Sequence, residues 1–130
     1  MPEETKLKGI ENGRAEFAYK CAEKGKTIGK EYKSYAKKVP MLIKVNGIGA
    51  TFGFMLSKGG TYEEIGKHIL EWLNSDNVKL IDKPEIIEFK DLVKETVKLN
   101  STEYRALTIE VIAFLSWLRR FADGLIEGED

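Results

Sequence analysis

VPMLIKVNGIGATFGFMLSK, residues Val39–Lys58, decides how the chain folds. Its apolar residues Leu42, Val45, Phe52, Met55 and Leu56 recur at helical steps, and no part of it alternates with period two. Asn46-Gly47 would mark a hairpin turn between strands. With helical flanks it predicts a kink or joint between two helices instead. Pro40 donates no backbone hydrogen bond and disfavours helical geometry at Val39, so the pattern predicts a helix restarting there. Gly49, Ala50 and Gly53 bare the backbone on one side, which lets a helix or a ligand approach closely.

That glycine cluster invites a nucleotide-binding reading, and the spacing refuses it. A dinucleotide fingerprint needs glycines at relative positions one, three and six after a strand. Here the sixth position is Phe52 and the preceding segment reads as helix. The phosphate-binding loop ending in Gly-Lys-Ser/Thr is also absent from the sequence.

Upstream lies the most basic part of the chain. Lys24 to Lys44 holds seven lysines and one acid, Glu31, with Tyr32 and Tyr35 interleaved. Lys30, Lys33, Lys37 and Lys44 fall at roughly helical steps, along one stripe. They are either a solvated face or contacts to phosphate, each neutralised phosphate adding salt-dependent affinity by counterion release. Further upstream, Leu7, Ile10, Phe17, Ala18 and Cys21 make an amphipathic helix that Gly25 is placed to end. Arg14 shares its apolar face. It is read as paired with Glu11 or snorkelling at the core edge, or else as a partner or phosphate contact.

Downstream, Thr61 with Glu64 predicts a capping box, and Tyr62, Ile65, Ile69, Trp72 and Leu73 the apolar side of the helix that follows. Glu64, His68 and Glu71 have a superficial look of metal ligands. A carboxylate-bridged metal site in a helical bundle needs Glu-x-x-His on each of two helices, and this chain has one histidine. They are read as a solvated face. The same shortage removes Ser-His-Asp and Cys-His nucleophile arrangements. Asp82 and Glu85 around Pro84 predict another cap, for a helix carrying Ile86, Phe89, Val93 and Val97. Asn100 with Glu103 opens the last and longest helix, whose seam is Tyr104, Leu107, Val111, Phe114, Leu115, Leu118 and Ala122. Ile109, Ile112 and Trp117 widen that seam almost all round, so this helix is expected at the centre of the fold or under another subunit. Arg119 and Arg120 near its end suit the helix dipole.

These patterns predict an all-α fold: a single domain over residues 1–130, a helical bundle of five to seven helices, with 1–6 and 125–130 as frayed tails. With 42% apolar and 32% charged residues the composition is that of a globular domain rather than a disordered chain. No apolar run approaches the roughly 20 residues of a membrane span, and no secretory leader is read. The single Cys21 allows no internal disulfide and suits a reducing compartment. At its spacing from Phe17 it reads as a small buried hydrophobe. Net charge is zero, yet residues 1–60 carry 12 Lys+Arg against 6 Asp+Glu and residues 61–130 carry 9 against 15, a split of +6 and −6. Folding either keeps that split as opposed faces or mixes it away. The absence of glutamine beside abundant Lys and Glu matches a thermophile bias.

Two segments together carry a family resemblance. The first holds Tyr35-x-x-x-x-Pro40, Ile43-Lys44-x-Asn46-Gly47-Ile48-Gly49, and Phe54 followed by Ser57-Lys58. The second holds Tyr104-Arg105-x-x-Thr108-x-Glu110, then Phe114-Leu115-x-Trp117-Leu118-Arg119-Arg120-Phe121-Ala122. In order and spacing the pair resembles the small all-α subunit of the Cmr effector complex of type III-B CRISPR systems, over nearly the whole chain. The resemblance implies a non-catalytic cytoplasmic subunit in prokaryotic antiviral defence, present in several copies stacked head to tail. It would bind other Cmr complex subunits and face the duplex of guide RNA and target RNA, while other subunits cleave. It implies no cofactor and no membrane. Gly53 departs from the pattern, since relatives often carry alanine there. The residues expected on the RNA-facing surface are Lys37, Lys38, Lys44, Lys58 and Arg120, followed by Arg14 and Arg119. Tyr104, Arg105, Thr108 and Glu110 are assigned to fold or subunit packing. The competing reading is an all-α protein–protein adaptor with no nucleic-acid role. DNA regulation by a helix-turn-helix is disfavoured, because few side chains suited to base edges sit in any one helix.

Overall fold

The computed structural model describes residues 3–76, 78, 80, 81 and 83–128, with side chains from residue 9 onward. These residues form six helices and no strand: α1 (Glu3–Gly25), α2 (Lys30–Asn46), α3 (Ile48–Lys58), α4 (Gly60–Leu73), α5 (Phe89–Thr96) and α6 (Ser101–Leu125). The all-α bundle and the range of helix number are as the sequence predicts.

The opening stretch divides at Gly47, not at Pro40. Gly47 sits at φ 87°, a left-handed conformation that side-chain-bearing residues rarely adopt, and it separates α2 from α3. Pro40 lies buried inside α2, which runs through it. The joint expected at Asn46-Gly47 is present, and without a break at Pro40 the buried stripe differs from the expected one. Val39, Ile43, Ile48, Phe52 and Met55 are buried, whereas Val45 is 81% exposed and Leu56 is also exposed.

Two of the three predicted caps differ. Gly59 precedes α4 with no side-chain cap, and the Thr61 hydroxyl instead donates to Glu31 on α2. Asp82 lies outside the described residues. The α5 start is held at Asp91, whose carboxylate accepts from the backbone N–H of Glu88 at 2.9 Å and of Ile87 at 3.1 Å. Ile86 is buried ahead of the helix rather than in it, Leu92 joins Phe89 in the core, and Val97 is exposed. Asn100 and Glu103 do form their reciprocal cap, at 2.8 and 3.2 Å.

The most enclosed helix is α4, which touches all five others. Thr61, Gly66, His68 and Leu70 are buried in addition to its predicted apolar side. α6 packs mainly along α1 and α2, burying its predicted seam from Leu107 onward with Tyr104 half-buried, while Ile109 stays outside. Within the core Trp72 stacks on Phe114 (6.0 Å, 10°), with the half-buried Phe17 tilted against both. At the ends, α1 is helical from Glu3, and Ile126 is buried, so residues expected as free tails are partly structured.

Candidate nucleic-acid interface

α2 and α6 run antiparallel. Lys33 near the start of α2 meets Asp123 near the end of α6, while Gly49, just past α2, donates its N–H to the Tyr104 hydroxyl at 2.9 Å. Between the two helices runs a groove of about 540 Å³ lined by Lys33, Lys37, Pro40 and Lys44 from α2, and by Ile112, Ser116, Arg119, Arg120 and Asp123 from α6. Lys37 and Lys44 follow Lys33 by four and eleven residues. At 3.6 residues per turn this returns all three to within about 40° of one line. Lys33 to Lys44 covers about 16 Å of helix axis, so the groove is a track rather than a point. Five cations and one carboxylate line it. Arg120 lies 5.9 Å from the Trp117 ring, which stacks on Phe121 and donates to Glu11 at 2.9 Å, so its head group is presented from a fixed platform.

The sequence-predicted residues separate into three places. Lys37, Lys44, Arg119 and Arg120 share the groove, where Lys33, visible only as a member of the α2 lysine stripe, joins them. Lys38 lies about 100° round α2 from Lys37 and sits 5.5 Å from the Tyr35 ring. Tyr35 stacks on Tyr62 (4.0 Å, 5°), Tyr62 meets Phe54 edge-on, and Lys58 sits 5.7 Å from Phe54. Lys38 and Lys58 therefore flank a second feature, an aromatic strip. Arg14 is in neither. Its Nε and Nη2 donate to Glu110 at 2.8 and 2.9 Å, and Nη1 donates to Glu11. Its principal partner is thus remote in sequence, on α6, rather than the neighbouring Glu11. Only 12% of the Arg14 side chain is exposed, and the hydrogen bond to Glu110 raises its pKa further above the ordinary value.

Lined by five cations and one carboxylate, the groove has the chemistry to hold a polyanion. Among the described residues no group of three His, Cys, Asp or Glu side chains could hold a metal ion. His68, read from the sequence as solvated, is only 2% exposed. Its Nδ1 lies 2.7 Å from the Tyr32 hydroxyl and its Nε2 is 3.7 Å from Glu64. Burial lowers the His68 pKa below its ordinary 6.5. The same burial pushes the Cys21 thiol up to about 12, so it is an inert core group rather than a nucleophile. No described helix is long and apolar enough to cross a membrane.

Residues 10–125 match the family model for the CRISPR-associated protein Cas_Cmr5. The chain belongs to the Cmr5 family. A curated Cmr5 relative, the CRISPR system Cmr subunit Cmr5 of Thermus thermophilus, is 31% identical over 106 residues, covering 82% of this chain and 83% of its own. The crystal structure of a Cmr5 family protein from Thermus thermophilus superposes with a TM-score of 0.76 at 25% identity, over 91% of this chain and 98% of that one. The Cmr5-family match spans five of the six helices completely and α1 from Ile10. Both helices of the basic groove fall within it.

Proposed function

We propose that this chain is a non-catalytic structural subunit of a CRISPR RNA-guided Cmr complex, acting in the prokaryotic cytoplasm in antiviral defence. It holds the backbone of guide or target RNA along the α2/α6 groove and contacts copies of itself and other Cmr subunits. The observation that carries the reading is the alignment of Lys33, Lys37 and Lys44 opposite Arg119 and Arg120 in a Cmr5-family chain. A row of cations that can each meet a phosphate suits binding to the backbone that is indifferent to sequence. Contact between copies would draw on the starts of α4 and α5, where Glu63, Glu64 and Glu88, with Lys67 among them, surround exposed Ile87.

Binding of the full chain to RNA should be weak, independent of sequence and steeply salt-dependent. Combined Lys44→Glu and Arg119→Glu substitution should reduce both the affinity and the slope of log K against log salt. Equal slopes for parent and variant would refute the groove assignment. The adaptor reading draws on a shallow apolar groove lined by Ile10, Val78, Leu80, Ala106 and Ile109. It requires that partners co-purify after ribonuclease treatment and that no small RNA travels with them.

A further inference from the structure

The Lys33 end of the groove is already occupied by the chain itself. Beyond Leu125 the backbone leaves α6, and the Ile126 N–H donates to the Ala122 carbonyl at 3.0 Å while its side chain is buried. The chain then reaches the first turn of α2. The Gly128 carbonyl accepts from Lys33 Nζ at 2.9 Å, and Asp123 Oδ1 lies 3.8 Å from the same ammonium. Only 13% of the Lys33 side chain is exposed, although it belongs to the same stripe as Lys37 and Lys44. Gly128 is fitted to this contact. Its φ is +131°, and a Cβ there would stand 2.7 Å from Lys30 Cβ. Glu127 is exposed on this segment, and the sequence continues with Glu129 and Asp130.

We propose that residues 123–128 form a self-masking strap: it engages Lys33 through Asp123 and the Gly128 carbonyl, and RNA competes with it for that end of the groove. The inference rests on the RNA-backbone reading of the groove. A backbone carbonyl and one carboxylate replace the phosphate that Lys33 would otherwise meet, so the masked chain makes one phosphate contact fewer. Each contact to a single strand adds about 0.7 to the salt slope.

Gly128→Ala in the full chain tests this, because it dislodges the strap while leaving every charge in place. Asp123→Asn is the second variant, since it removes one holder of Lys33 without touching the backbone. Binding to one labelled single-stranded RNA is followed between about 50 and 200 mM salt. Both variants should bind more tightly than the parent at low salt. Each slope should steepen by up to about 0.7, a roughly threefold larger loss of affinity across that range. Adding Lys33→Ala to either variant should erase the gain. The proposal is overturned if Gly128→Ala and Asp123→Asn keep the parent slope, or if the gain survives Lys33→Ala, which would make it a general charge effect. These failures differ from failure of the underlying reading. In that case Lys44→Glu with Arg119→Glu leaves RNA binding unchanged in every background.

Discussion

Glu110, assigned from the sequence to fold or subunit packing, shows how one side chain can hold a fold. Its two oxygens accept from Arg14 Nε and Nη2, and Oε2 also accepts from Trp72 Nε1 at 2.8 Å, so α1, α4 and α6 meet on one carboxylate. Removing Glu110 leaves Arg14 with only the exposed Glu11 and leaves the buried Trp72 N–H without an acceptor, costs that together come to about 3 kcal/mol or more. Glu110→Ala should therefore lower unfolding free energy in urea by about 3 kcal/mol or more, far beyond an exposed acid such as Glu16. A loss like that of Glu16→Ala would sink the role. His68 makes a complementary case. Assigning the ring proton to Nε2, where it faces Glu64 at 3.7 Å, lets Nδ1 accept from the Tyr32 hydroxyl. Its folded pKa lies below the ordinary 6.5, chiefly through burial, so the unfolded chain takes the proton first as pH falls. The sign follows: this contribution is complete above pH about 6.5 and is lost as pH drops through 6.5 toward the folded value. Denaturant melts between pH 7.5 and 5.5 should show stability falling for the parent and a flatter response for His68→Gln. Ordinary carboxylates titrate near pH 4 and contribute little in that window. Parallel pH profiles for the two proteins would remove His68 from the account.

At the scale of elements, the period-3.6 pattern was enough to find the helices but not to rank them. α6 reads as central because it is long and nearly apolar all round, and it does bury its seam from Leu107 onward. The enclosed position belongs to the shorter α4, whose second face buries Thr61, read from the sequence as a cap, His68, read as solvated, and Gly66. Only the tertiary partners explain them. Glu31 takes the Thr61 hydroxyl, Tyr32 meets His68, and the Phe89 ring lies on Gly66. The glycines divide in the same way. Gly49 does pack closely, with the Tyr104 hydroxyl 3.3 Å from where its Cβ would stand, whereas Gly53 has nothing within 4 Å. A Cβ on Gly66 would lie 2.6 Å from the Phe89 ring. Gly66→Ala should thus destabilise by about 1–3 kcal/mol through overpacking, and Gly53→Ala should stabilise α3 by roughly 0.5–1 kcal/mol. Thermal melts of the two variants should move in opposite directions. A stabilising Gly66→Ala, or a destabilising Gly53→Ala, would contradict the packing.

For the whole molecule, the legible part of the candidate interface was the lysine stripe, because i, i+4 and i+11 spacing is a property of one helix. What spacing could not supply was the partner across the groove, Arg119 and Arg120 being expected on the same surface only through the family resemblance. Lys37 and Lys44 are 75–83 residues from Arg119 and Arg120 in the chain, and only the antiparallel packing of α2 on α6 makes them one surface. The same packing separates Lys38 from Lys37, its neighbour in sequence, by turning it toward Tyr35. Positive charge alone would make the two sets equivalent in a long-range field. Convergence across a groove makes them different, because a backbone seated between two helices meets cations from both sides at once, and such contacts release counterions together. Removing two groove cations, with Lys44→Ala and Arg120→Ala, should therefore reduce the salt slope of RNA binding by about 1.4 on single strands. Lys38→Ala with Lys58→Ala removes the same formal charge from the aromatic strip, so it should leave the slope nearly unchanged while lowering affinity only modestly. Both pairs are compared in the full chain at matched salt, with helical content checked by circular dichroism. An equal fall in slope from either pair would mean that RNA senses only the summed charge and that the groove confers no path.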